Sequence, residues 1–131
     1  MNQIEIIAKE IVDAAYAVYK ELGPGLLESA YHFSLAHELR LRGLKVEWQK
    51  PLPLIYRGEK LDCGYRIDLL VEDMIIIEIK AVETFHPIHT AQVLTYLRLS
   101  RLNLAFLINF NTHYFKTGIK RIALNLANET K

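Results

Sequence analysis

Asp68 and the tripeptide Glu78-Ile79-Lys80 are the residues of this chain best suited to chemistry. Glu78 and Lys80 are two residues apart, so on a strand both side chains leave the same face. Asp68 lies one strand earlier, and the turn decides whether it meets Glu78. A loop of Glu72, Asp73 and Met74 sets Asp68 directly opposite Glu78. A loop of Glu72 and Asp73 alone sets it opposite Ile77 and on the wrong face. A paired-carboxylate site therefore requires an odd-numbered loop. Two carboxylates so placed form a hard-oxygen site for Mg2+ or Mn2+, with the Ile79 backbone carbonyl as a further oxygen. A metal there can activate water and stabilise charge on a phosphate. Lys80 would orient the attacking water or stabilise developing negative charge. The tripeptide alone also fits the solvated end of an ordinary strand. Its setting argues otherwise. Glu78 follows Met74-Ile75-Ile76-Ile77, and a carboxylate ending a core strand must be paired, metal-bound or at a cleft.

Other polar residues fall into place around this pair. Glu28 belongs to the first turn of a helix, where the helix dipole favours a carboxylate whatever else it does. Gln92 and Tyr96 are four residues apart and share a helix face. His32 follows Glu28 by one turn and either lines the same cleft or pairs at the surface. His86 and His89 lack a correctly spaced third zinc ligand and are expected to cap or flank a helix. Cys63 reads as a small buried residue. Gly23-Pro24-Gly25 lacks the Lys-Ser/Thr that would make it a phosphate loop.

The elements that carry these residues are legible from periodicity. Ile4, Ile7, Ile11, Ala14, Val18 and Leu22 predict a helix over Asn2 to Leu22, stopped by Gly23-Pro24-Gly25. A second helix is predicted from Leu26 to Arg42, with Leu27, Tyr31, Leu35 and Leu39 on one face and Gly43 as its stop. Leu44, Val46 and Trp48 then alternate with polar residues as in a half-buried strand, which Pro51 and Pro53 interrupt or confine to an edge. Leu54-Ile55-Tyr56 and Lys60-Leu61-Asp62 predict a hairpin around Arg57-Gly58-Glu59. Strands are expected over Tyr65 to Val71 and Met74 to Lys80, the latter central in the sheet. A helix from Pro87 to about Ser100 follows, then strands over Leu104 to Ile108 and Ile122 to Leu126, and a frayed tail over 127–131. The order is two helices, three or four strands, one helix and two strands. That is an α/β class with a central sheet.

The chain has 131 residues, 51% of them hydrophobic and 24% charged, which fits one domain and excludes wholesale disorder. Sixteen basic and 15 acidic residues give a net charge of +1, which argues against nucleic-acid binding through bulk charge. A local footprint remains: Lys45, Lys50, Arg57, Lys60 and Arg66 alternate with Trp48, Tyr56 and Tyr65, a face suited either to phosphates and bases or to plain solvent. One cysteine permits no internal disulfide. No membrane segment is legible, and a soluble cytoplasmic protein is the expectation.

The ordered set Glu28, Asp68, Glu78, Lys80, Gln92 and Tyr96 resembles the PD-(D/E)XK nuclease superfamily. Gln92-x-x-x-Tyr96 is similar to the motif that follows the catalytic strand in its RecB-like members. Gly25-x-x-Glu28-x-x-Tyr31 resembles the signature of the small GxxExxY branch. The resemblance covers roughly Ile4 to Leu126, and Ile67 stands where the superfamily name has proline. It implies a restriction-endonuclease-like fold, a central mixed β-sheet flanked by helices. It implies metal ligation by Asp68, Glu78 and the Ile79 carbonyl, with Glu28 assisting directly or through water. Lys80 would be the catalytic lysine, and Gln92, Tyr96 and Tyr31 would bind substrate or brace the site. The implied activity is metal-dependent hydrolysis of DNA or RNA, with a nucleic-acid partner, no membrane, and a homodimer as the analogue of small nucleases. The alternative is a non-catalytic module that binds nucleic acid or protein and keeps the nuclease fold.

Overall fold

The computed structural model describes residues 2–125. Helix α1 (Gln3–Leu22) is capped by Asn2, whose Oδ1 accepts the Glu5 amide at 3.0 Å, and it buries Ile7, Ile11, Ala14 and Val18 as its period requires. Helix α2 spans Glu28–Leu41, shorter at both ends than its apolar spacing implies. Tyr31, Leu35 and Leu39 are buried, but Leu27 is the N-cap and 79% exposed, because the chain has not yet entered the helix there.

Five strands follow before the next helix, more than the three or four expected: β1 (Val46–Pro51), β2 (Leu54–Tyr56), β3 (Glu59–Leu61), β4 (Arg66–Val71) and β5 (Ile75–Lys80). Helix α3 (Pro87–Ser100) keeps the predicted bounds. Its cap is a reciprocal pair, His86 Nδ1 accepting from the Ile88 amide and His89 Nδ1 from the His86 amide, which is the role expected of the two histidines. Strand β6 (Leu104–Asn109), an unforeseen short helix α4 (Phe115–Gly118) and β7 (Ile119–Ala123) complete the described chain. The last strand begins three residues earlier than Ile122 and ends before Leu124, because α4 turns the chain back onto β6 sooner than the alternation suggests. Leu126 and the tail 127–131 lie outside the described residues.

The main sheet has the order β1-β4-β5-β6-β7, with β5 and β6 parallel and the other neighbours antiparallel. Strand β1 is an edge, as Pro51 demands. The β2–β3 hairpin forms its own two-stranded sheet on a two-residue turn, Arg57 (φ 49°) and Gly58 (φ 81°), so Glu59 lies in the strand and not in the turn. Helices α1 and α2 pack with Leu69, Val71, Ile75, Ile77 and Ile79 on one face of the sheet. Helix α3 packs with Leu70, Ile76, Ala105 and Leu107 on the other. Strand β5 is thus buried on both faces, which explains its unbroken apolar run and isolates Glu78 as the exception.

Candidate active site

Strands β4 and β5 pair from Val71↔Ile75 to Leu69↔Ile77, joined by Glu72, Asp73 and Met74, with Glu72 and Asp73 at positive φ. The loop is the odd-numbered one, and the register carried one step further sets Asp68 against Glu78. There the backbone ladder gives way to side chains. The Asp68 amide donates to Glu78 Oε2 at 2.8 Å, and the Ile79 amide donates to Asp68 Oδ2 at 2.8 Å. Each carboxylate therefore caps the opposite strand where the two strands part. Among the described residues the second oxygen of each carboxylate accepts no hydrogen bond.

The pleat also breaks at Asp68. Leu69 belongs to the core beneath α1 and α2, yet Ile67, two residues away, belongs to the core beneath α3. On β1 the residue between the pairs Trp48↔Leu69 and Lys50↔Ile67 is Gln49, at φ 51°. Gln49 is thus a left-handed interruption of β1 opposite Asp68, whose own carboxylate bonds across the fork to the Ile79 amide.

Residues of one strand alternate the edge to which N–H and C=O point. The Lys80 carbonyl accepts from the Phe110 amide, towards β6, whereas the Ile79 amide points to Asp68, towards β4. The Ile79 carbonyl consequently faces the fork, where β4 no longer offers a donor. The exit from Lys80 is held by Asn109, a buried residue that the sequence reading missed. Its Oδ1 accepts from the Val82 amide at 3.1 Å and its Nδ2 donates to the Val82 carbonyl at 2.9 Å. A lone Asn ending the apolar run of β6, in register with Lys80, is the signal that would have found it. Asn109→Ala should cost about 2 kcal/mol, because it strands the Val82 amide and leaves the Val82 carbonyl only its longer bond from Asn111 Nδ2 at 3.4 Å, and a thermal melt will read the loss.

Glu78 is only 3% exposed. Burial, then the Asp68 charge, pushes its carboxyl up to about 8. His32 is the second residue the fold adds to this centre. It is buried, with Nε2 3.1 Å from Asp68 Oδ2, at ion-pair distance but misaligned for a hydrogen bond, and Nδ1 3.4 Å from Gln49 Nε2. Of its two expected places, the cleft is the one it occupies. Lys80 is half-buried and forms no ion pair among the described residues, although its charge is felt at both Glu78 and His89. Glu28 is exposed in the first turn of α2. Its charge reaches Glu78 and His89. It is not gathered with Asp68 and Glu78: among the described residues no three His, Cys, Asp or Glu side chains form a metal cluster.

On the α3 side, Gln92 Nε2 donates to Tyr96 Oη at 3.1 Å. Burial, then the charges of Glu78 and Asp68, raises the Tyr96 phenol above its usual value. Both residues line a cavity of about 420 Å3 with Tyr65, Leu54 and Thr95. Tyr31 sits elsewhere. Its hydroxyl donates to the Gly23 carbonyl at 2.6 Å and accepts the Leu26 amide at 3.1 Å, and its ring stacks on Phe110 at 4.7 Å. It ties down the Gly23-Pro24-Gly25 turn that leads into Glu28.

The basic footprint is largely neutralised. Lys45 pairs with Asp73 and Glu47, Lys50 with Glu47, and Arg66 with Asp62. Cys63 is exposed, contrary to its expected burial, because it falls in the irregular stretch between β3 and β4 where nothing packs over it. Among the described residues no helix is long and apolar enough to cross a membrane.

A mixed five-stranded sheet between helices, with opposed carboxylates and a lysine where two central strands part, defines a restriction-endonuclease-like α/β domain. The family model of the PD-(D/E)XK nuclease superfamily matches residues 5–122, and the chain belongs to that superfamily. Comparison with curated proteins and with solved structures gives no match.

Proposed function

We propose that this protein is a metal-dependent phosphodiesterase that cleaves DNA or RNA at the β4–β5 fork. The observation that carries the reading is the opposition of Asp68 and Glu78 across the fork, with Lys80 next on the same strand. The donor set suits Mg2+ or Mn2+: two carboxylates, each with one oxygen free of hydrogen bonds, and the Ile79 carbonyl turned the same way. Burial, and then the charge of Asp68, holds the Glu78 proton on, and a divalent cation in the fork would offset both. Such a metal supplies positive charge to the scissile phosphate and acidity to its bound water. Lys80 places its ammonium at the water or at the charge developing on the phosphate. His32 positions Asp68, and Glu28 acts from the rim through water. Gln92 and Tyr96 contact the substrate strand beside the carboxylates.

We place the chain further in the GxxExxY branch. The support is the part Tyr31 plays here, since it locks the glycine turn from which Glu28 projects. An exposed single thiol, Cys63, fits a reducing cytoplasm.

The test is incubation with labelled DNA and RNA, single- and double-stranded, with Mg2+ or Mn2+ and with EDTA. Cleavage that EDTA abolishes is expected. Binding without cleavage of any substrate would leave the non-catalytic module.

Glu78 also sets a pH dependence. Its folded value of about 8 lies above the ordinary 4.5, so the folded state holds this proton more tightly. Its contribution to stability is complete below 4.5 and is lost as pH rises towards 8. Metal must displace the same proton, so its binding strengthens over that range. Melts in EDTA should fall in Tm from pH 5 to 9, and Mg2+ should oppose the fall most at the alkaline end. In Glu78→Gln both the fall and the Mg2+ effect should shrink. Identical pH profiles with and without Mg2+ would contradict the assignment.

A further inference from the structure

Phe33 on α2 and Trp48 on β1 are 65% and 36% exposed, yet their rings stack on each other at 4.8 Å with planes 17° apart. Trp48 meets the His32 ring edge-on at 5.1 Å, and His32 lies 3.1 Å from Asp68. A single buried side chain therefore separates this aromatic pair from the carboxylates. Neither ring belongs to the two core clusters, so the stacked pair leaves aromatic surface open to a ligand. Arg40, also on α2, is exposed; it donates to the Val46 carbonyl on β1 and has no acidic partner among the described residues. A cation and stacked rings along one α2–β1 seam offer a phosphate contact and a base contact together.

We propose that Phe33 and Trp48 form a base-stacking platform that brings nucleic acid to the fork as an unpaired strand. The location rests on the phosphodiesterase reading above; the binding itself does not. Bases inside a duplex keep their faces covered by their neighbours, whereas an unpaired base can stack on an aromatic ring whatever its identity. The platform thus selects for strand state and not for sequence. That fits a chain whose near-neutral charge gives little non-specific hold on duplex.

Trp48 is the only tryptophan, so its fluorescence reports the platform alone. The experiment is a titration in EDTA, where no cleavage intervenes, with a thymidine oligonucleotide, an abasic strand of equal length and a duplex. The thymidine strand should quench Trp48 and bind roughly tenfold or more tighter than the other two. Phe33→Ala should remove most of that preference while leaving the melt unchanged. Equal affinity for the abasic strand, or binding that leaves Trp48 unquenched, would overturn the proposal. So would a homodimer in sedimentation that Phe33→Ala dissociates, since the pair would then be covered by a second copy. Failure here leaves the cleavage reading standing on Asp68 and Glu78, and absence of cleavage leaves the platform untouched.

Discussion

Asp68→Ala should lower metal-dependent cleavage by about three orders of magnitude or more. Asp68 caps the Ile79 amide with one oxygen and, in the proposed site, would give the other to the metal, so its loss would remove a ligand and loosen the strand that carries Glu78 and Lys80. Metal stabilisation of a phosphoryl oxygen is worth several kcal/mol, and each ~1.4 kcal/mol is tenfold in rate. Asp68→Asn separates the two effects. An amide oxygen can still accept from Ile79, so the fold is kept, while the charge that binds the cation is gone. The asparagine variant should melt near the parent and still be inactive. It should also lower the Glu78 carboxyl, since the Asp68 charge is the second cause of its elevation. Full activity in Asp68→Asn would show that the fork is structural only.

Lys80→Ala should cost about two to three orders of magnitude in kcat, the range seen when one preorganised donor is removed from a transition state. Lys80 has no ion-pair partner among the described residues and is half-buried, so its removal should leave the melt almost unchanged. Metal binding should persist, because the two carboxylates and the Ile79 carbonyl stay in place. One further sign distinguishes this role from a structural one. Lys80 lowers the Glu78 carboxyl, so without it Glu78 ionises at higher pH. The pH profile of Mg2+ binding should therefore move towards alkaline values. A normal kcat with an unmoved profile would remove Lys80 from the chemistry.

Much of this site was legible before the fold. The spacing of Asp68, Glu78 and Lys80 left one unknown, the parity of a loop, and the pairing of Val71 with Ile75 resolves it in favour of three residues. Pro87 marked the start of α3 because its ring suits the first turn of a helix. The same local logic misplaced Leu27, which continues the apolar spacing of α2 but precedes its first turn. What sequence could not reveal are contacts between distant elements. His32 beside Asp68, Gln49 turned left-handed opposite it, and Asn109 clamping Val82 each depend on how α2, β1 and β6 pack. Buried polar residues of this kind resemble surface ones in a period-based reading. Only Glu78 and Asn109 betray themselves, as lone polar residues ending apolar strands. The basic residues show the converse. Lys45, Lys50 and Arg66 appear available in the sequence, yet each sits beside an acid that the folded chain supplies.

Metal-dependent cleavage at the fork requires that Asp68 and Glu78 bind one cation together. The most direct measurement is the anomalous difference map of a crystal soaked in Mn2+ at pH 8.5, above the value of about 8 to which burial and Asp68 push Glu78. One dominant peak is expected in the fork, within about 2.1 Å of an oxygen from each of Asp68, Glu78 and the Ile79 carbonyl. A fork without a peak, or a Mn2+ site elsewhere that supports cleavage, would contradict it.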